Sequence, residues 1–214
     1  MRYESDFSPS FPLLSENSFR IDLDQLKSAI NDRTKLIILN SPSNPTGGFN
    51  TREDTEAIAE MVLGTDIFVL TDEVYKDIIY GQEHFSILSV PGMREQTILL
   101  DGLSKSYAMT GWRLGWVAAP SHILEAMMKV HQYVMMSAPT AAQYAALEAL
   151  CSGEEHLISM RDEYDHRRRV MYEGFRQIGL PCVEPLGAFY AFPSIAPTGL
   201  DDETFAEQLL LEER

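Results

Sequence analysis

Short apolar runs alternate with segments of helical period along the first half of the chain. The runs at 36–39 (LIIL), 67–70 (IFVL) and 97–100 (TILL) are brief, β-rich and uninterrupted, which predicts strands, the last of them buried. A run at 114–119 (LGWVAA) predicts another, closed by Pro120. Between the runs, Asp22 is a helix N-cap signal with Leu23, Leu26, Ala29 and Ile30 at helical spacing behind it. Thr51 caps a second helix whose apolar face is Ile58, Met61 and Val62, and Gly64 ends it. This strand-helix-strand rhythm is that of parallel βα units in an α/β fold, whose ligands bind outside the carboxyl ends of the strands. The loops that follow the first three strands therefore gather at one edge of the sheet.

The second half is helical. Ser121 opens a helix over 121–136, Pro139 and Thr140 start another over 141–151, and Gly153 separates it from a long one over 154–178. Leu157, Met160, Tyr164, Met171, Phe175 and Ile178 form a stripe on the long helix, and that period is read as core contact. Gly179 and Pro181 stop it, residues 182–184 and 188–192 predict two short strands, and 203–214 reads as a helix. Residues 1–21 show no period and read as irregular.

The formal charge of −15, from 32 acidic and 17 basic side chains, argues against a nucleic-acid surface. The one basic cluster, Arg167-Arg168-Arg169, reads as a solvated helix face. Cys151 and Cys182 lack the spacing of a zinc site or redox pair, so reduced, buried thiols are expected. The five histidines, at 84, 122, 131, 156 and 166, fit no metal spacing either. With no signal-peptide core at the start and no apolar run near the roughly 18 residues of a membrane span, the expectation is a cytoplasmic protein without a membrane partner.

The chemistry-bearing residues sit just past the strand-like runs. Lys105 follows the 97–100 run, flanked by Ser104 and Ser106, with Arg113 on the same loop between Gly111 and Gly115. A lysine held in a partly desolvated cleft can attack a carbonyl and form a Schiff base. The planar fork of an arginine suits a phosphate, and the Ser104 hydroxyl can complete the cradle. Pyridoxal 5′-phosphate is the cofactor that carries both an aldehyde and a phosphate. Asp72, at the end of the 67–70 run, is costly there unless paired, and the pyridinium nitrogen of that cofactor is a fitting partner. Tyr75 and Asn44 can each reach the cofactor's ring oxygen, with Pro42 and Pro45 restricting the loop around Asn44. Glu73 is assigned no catalytic role, because adjacent strand residues point to opposite faces.

These segments resemble the class I/II aminotransferases, pyridoxal-phosphate-dependent enzymes of fold type I. Asn-Pro-Thr-Gly at 44–47, Asp-Glu-Val-Tyr at 72–75 and Ser-Lys-Ser-Tyr-Ala-Met-Thr-Gly-Trp-Arg-Leu-Gly at 104–115 carry the likeness, and Gly187-Ala-Phe-Tyr adds to it. The resemblance implies a three-layer α/β/α large domain with a mostly parallel sheet, here residues 1–152, and part of a small α+β C-terminal domain, residues 153–214. It implies Lys105 as the lysine that bonds the cofactor and Asp72 as the partner of the ring nitrogen. Asn44 and Tyr75 become the ring-oxygen partners, and Ser104 and Arg113 the phosphate ligands. Gly102 stands where some relatives carry a second serine.

The resemblance also implies transfer of an amino group between an amino acid and a 2-oxo acid, and a homodimer in the full-length parent. Relatives carry a Gly-rich phosphate loop and a ring-stacking aromatic before the equivalent of Met1, and a carboxylate-binding arginine after that of Arg214. The expectation is therefore a fragment. Two other readings share these residues: a lyase of the same fold, and a non-enzymatic effector-binding module of a transcription regulator. The second should bring a basic helix-turn-helix segment, and none is visible in the sequence.

Overall fold

The computed structural model describes residues 10–212. Its centre is a four-stranded sheet in the order β1 (Leu36–Asn40), β2 (Phe68–Asp72), β3 (Thr97–Gly102), β4 (Gly115–Ala118). The first three strands run parallel, with Asn40 opposite Asp72 and Asp72 opposite Leu100, while β4 runs antiparallel to β3. Asn40, Asp72 and Leu100 therefore mark one edge, and the three loops that leave it carry Asn44, Tyr75 and Lys105.

Helices α1 (Leu23–Ala29) and α2 (Arg52–Val62) cover one face, as the spacing of their apolar residues requires. Leu26, Ile58, Ala59 and Val62 pack there against Ile37, Leu39, Ile67 and Val69. Asp22 caps α1 through Oδ1, which accepts from the amides of Asp24 and Gln25, both at 3.0 Å. Thr51 and Asp54 form a reciprocal capping box at the start of α2, and Arg20 holds Asp54 by a forked ion pair. Gly64, at φ +78°, takes the left-handed turn after α2, a conformation that costs glycine nothing.

The apolar runs are half-buried, not buried throughout. Ile37, Leu39 and Val69 are enclosed, whereas Ile38 and Leu36 on the other face of β1 lie open and Ile98, Leu99 and Leu100 are intermediate. Beyond the sheet come α3 (Leu103–Ser106), α4 (Ser121–Val134), α5 (Thr140–Ser152), α6 (Glu154–Gln177) and α7 (Asp202–Glu212). Ala146 of α5 packs with Leu103 and Met109, and Gly153 lets α6 start close behind it: a Cβ there would lie 2.4 Å from the Ala149 carbonyl. Apolar side chains of α4 and α5, among them Val130, Tyr133, Tyr144 and Leu147, are exposed, as is Met136 in the turn between them.

Several expectations are corrected. Residues 182–184 and 188–192 are not strands; Cys182 and Gly187 each make one isolated bridge, to Pro193 and Ile79, and Ala188 sits in the left-handed region at φ +57°, which breaks an extended run. The α6 stripe is core only near its middle, where Met160 and Tyr164 pack against Tyr75, Ile78, Tyr80 and Ala188; Met171 and Ile178 are exposed. Arg168 is not solvated, since it bonds Asp165, Glu184 and the Pro185 carbonyl and lies over the Tyr80 ring. Both thiols are free, as expected, but Cys151 is exposed and Cys182 only half-buried. The irregular reading of 1–21 holds for its described part apart from a single 3-10 turn at Ser15–Asn17, while residues 1–9 and the last two of the 203–214 helix lie outside the described residues.

Candidate active site

Asp72 closes β2 on the face opposite Thr71, and the alternation continues into the loop. Glu73 turns beneath the sheet, its side chain 3% exposed, and accepts from Ser86 at 2.8 Å and Thr71 at 3.2 Å while pairing with His84 Nε2 at 2.7 Å. Asp72 turns the other way, half-exposed; its Oδ1 accepts from the Val74 amide at 3.2 Å and its Oδ2 takes no hydrogen bond among the described residues. The strand end thus fixes one carboxylate as a buried anchor and leaves its neighbour available to a ligand.

Lys105 lies on α3, a single turn held from both sides. The Gly102 amide bonds the Asp101 carboxylate at 2.7 Å, and the Ser106 hydroxyl donates to Asp77 at 2.7 Å. Its Nζ stands 5.8 Å from the centre of the Tyr75 ring and 5.7 Å from that of Phe189, and it forms no ion pair among the described residues. The nearby Lys76 is the contrast. Its ammonium is paired with Asp101 and lies 3.4 Å from Asp77. Burial alone would lower its pKa, but the two carboxylates outweigh it and raise the value, so Lys76 stays charged. Of the two amines, only Lys105 is unencumbered by a carboxylate.

Ser104 and Arg113 meet through Thr110, whose hydroxyl donates to the Ser104 carbonyl at 2.9 Å and whose carbonyl accepts from the Arg113 guanidinium at 3.0 Å. Arg113 is exposed, with the rest of its fork free to grip an anion. Asn44 is exposed too; its backbone amide donates to the Asn40 side chain at 3.0 Å, and its own side chain takes no partner among the described residues.

Sequence reasoning placed no weight on Phe189, Tyr190, Lys76 or Asp101, though Gly187-Ala-Phe-Tyr was visible as a likeness. The segment is sewn to the loop after Tyr75. The Ala188 amide donates to the Ile78 carbonyl at 2.9 Å, the Tyr80 amide to that of Leu186 at 3.0 Å, and the Tyr80 hydroxyl to that of Ala188 at 2.7 Å. It also meets the Asn44 loop, where the Leu186 amide donates to the Gly47 carbonyl at 3.1 Å and a Cβ on Gly187 would lie 2.5 Å from Pro42. This backbone brings the Tyr190 hydroxyl 2.7 Å from that of Tyr75.

The family model for aminotransferase class I and II matches residues 9–214. The chain belongs to that family. An aspartate aminotransferase of Pyrococcus abyssi is 46% identical over 204 residues, covering 94% of this chain and 52% of the relative. An aromatic-amino-acid aminotransferase of Thermococcus litoralis is 41% identical over 204 residues, with the same coverage. Among solved structures, an aromatic aminotransferase from Pyrococcus horikoshii superposes with a TM-score of 0.89 at 46% identity, covering 93% of this chain and 54% of that one. The chain thus spans about half the length of the relatives it matches. The neighbours are fold type I aminotransferases, and the family depends on pyridoxal phosphate.

The residues present fit that cofactor. A lysine amine without a carboxylate partner, a strand-end carboxylate with one oxygen unengaged and an arginine fork left largely free form a donor set suited to an aldehyde, a pyridinium nitrogen and a phosphate.

Proposed function

We propose that this chain is the cofactor-holding part of an aminotransferase that moves an amino group between an amino acid and a 2-oxo acid. The observation that carries the reading is the Lys105 amine, clear of carboxylates and set against the Tyr75 and Phe189 rings on the loop beside Asp72. When bound, pyridoxal phosphate supplies the aldehyde and a ring that takes up the electrons left as the substrate's α-proton departs. Lys105 would hold the cofactor through its aldehyde, and its Nζ would move the substrate's α-proton as base and then acid. Asp72 would keep the ring nitrogen protonated, Asn44 and Tyr75 would donate to the ring oxygen, and Ser104 with Arg113 would hold the phosphate.

We assign residues 1–152 to the large cofactor-binding domain and 153–214 to the small domain. The longer protein is read as a cytoplasmic homodimer in amino-acid metabolism, and the exposed apolar side chains of α4 and α5 supply surface for association. Among the described residues no helix is long and apolar enough to cross a membrane, and the net charge of −15 speaks against a nucleic-acid partner.

The test is amino-group transfer by the longer protein, followed as 2-oxo acid formed from an amino donor only when a second 2-oxo acid is present. Lys105→Ala and Asp72→Ala should each abolish it. Release of ammonia without an acceptor would instead make the protein a lyase.

A further inference from the structure

The Tyr75 and Tyr190 hydroxyls lie 2.7 Å apart, and either atom can be the donor. A phenol has one proton to give and lone pairs to accept with. Given the cofactor reading above, on which this inference rests, the Tyr75 proton goes to the ring oxygen, so the contact with Tyr190 must run the other way. We propose that Tyr190 is a positioning residue for Tyr75: its hydroxyl donates to the Tyr75 hydroxyl and thereby aims the single Tyr75 proton at the cofactor's ring oxygen.

Three features separate this from simple packing. The rings meet edge-on, at 5.8 Å between centres and 76°, a contact that phenylalanine at 190 would supply equally, so the hydroxyl adds something the packing does not need. Tyr75 is 3% exposed, which limits the water available to replace a missing donor. The Tyr190 backbone is also held in place, because the Ala188 amide and carbonyl are both bonded to the loop after Tyr75 and Gly187 abuts Pro42. Burial pushes the Tyr75 phenol well above its ordinary range, so it remains a donor at working pH. A donor behind a donor polarises the chain and strengthens the final hydrogen bond.

The test uses the 214-residue chain loaded with pyridoxal phosphate and follows the visible band against pH. Donation to the ring oxygen favours its charged, proton-free form, so losing part of that donation raises the pH at which the band switches. Tyr190→Phe should raise the midpoint by roughly half a pH unit, the scale of part of one hydrogen bond, and weaken cofactor binding a few-fold. Tyr75→Phe should raise it further. Installing 3-fluorotyrosine at position 190 keeps the shape and gives a stronger donor, so the midpoint should fall; this arm stands even if Tyr190→Phe folds poorly. A midpoint unchanged in both, with borohydride still fixing the cofactor on Lys105, overturns the role of Tyr190 and leaves the cofactor reading intact. Failure to label Lys105 in the unsubstituted chain overturns that reading and this inference with it.

Discussion

The Ser106 hydroxyl donates a 2.7 Å hydrogen bond to Oδ2 of Asp77, so the residue after Lys105 is tied to the loop that carries Tyr75. Ser106 is buried while Asp77 remains partly open to water, which tempers the strength of the bond. Ser106→Ala should cost about 1 kcal/mol in urea unfolding. It should also slow covalent capture of pyridoxal phosphate at Lys105, since the short α3 turn loses one of its two fastenings.

Glu73 anchors the strand end from beneath. Glu73→Ala would leave the donors of Thr71, Ser86 and His84 without their shared acceptor, at a cost of about 3–5 kcal/mol for a broken buried network. Thermal unfolding should show the loss, and cofactor affinity should fall because Asp72 is the next residue. Glu73→Gln, which keeps one acceptor, should cost less.

Gly187 has no room for a side chain. Its φ is not in the left-handed region, so the constraint is contact alone: an added Cβ would sit 2.5 Å from Pro42 Cβ. Gly187→Ala should push the 186–190 segment away from the Asn44 loop, destabilise by about 1–3 kcal/mol and weaken cofactor binding. Gly174→Ala, with nothing within 4 Å of the added carbon and a helical position, should be neutral or mildly stabilising in the same denaturant series.

Burial pushes the Asp165 carboxyl up, but the hydrogen bonds and charges of Arg168 and Arg169 outweigh it and leave the pKa lowered. For an acid whose folded pKa is depressed, the stabilisation is present above the unfolded value and is lost as pH falls through the folded one. The stability difference between the native chain and Asp165→Asn should therefore be full at neutral pH and shrink below about pH 4, the ordinary aspartate range. A difference that stays constant into acid would contradict this clamp.

What was legible in the sequence was local or carried by contiguous motifs. Asp22 and Thr51 cap the helices their positions announced, because a cap depends on residues two or three apart. The β1, β2 and β3 runs and their following loops were readable for the same reason. The parts that were misread depend on distant partners. Arg168 sits in a basic triplet, and only the fold shows Glu184 and Tyr80 closing around it. Residues 188–192 have strand composition, but they find no ladder partner among the described residues, and Ala188 turns left-handed to reach Ile78 and Tyr80. Tyr190 gives no signal of its own, since its meaning lies in a hydroxyl 115 positions away in the chain.

The central claim is that Lys105, and not its charged neighbour Lys76, is the amine that bonds the cofactor. Pyridoxal phosphate added to the chain, reduced with borohydride and located by peptide mapping, decides it. The account predicts one modified peptide, bearing the label on Lys105, and its disappearance in Lys105→Ala. Label on Lys76, or label spread over exposed lysines at the same level, would contradict it.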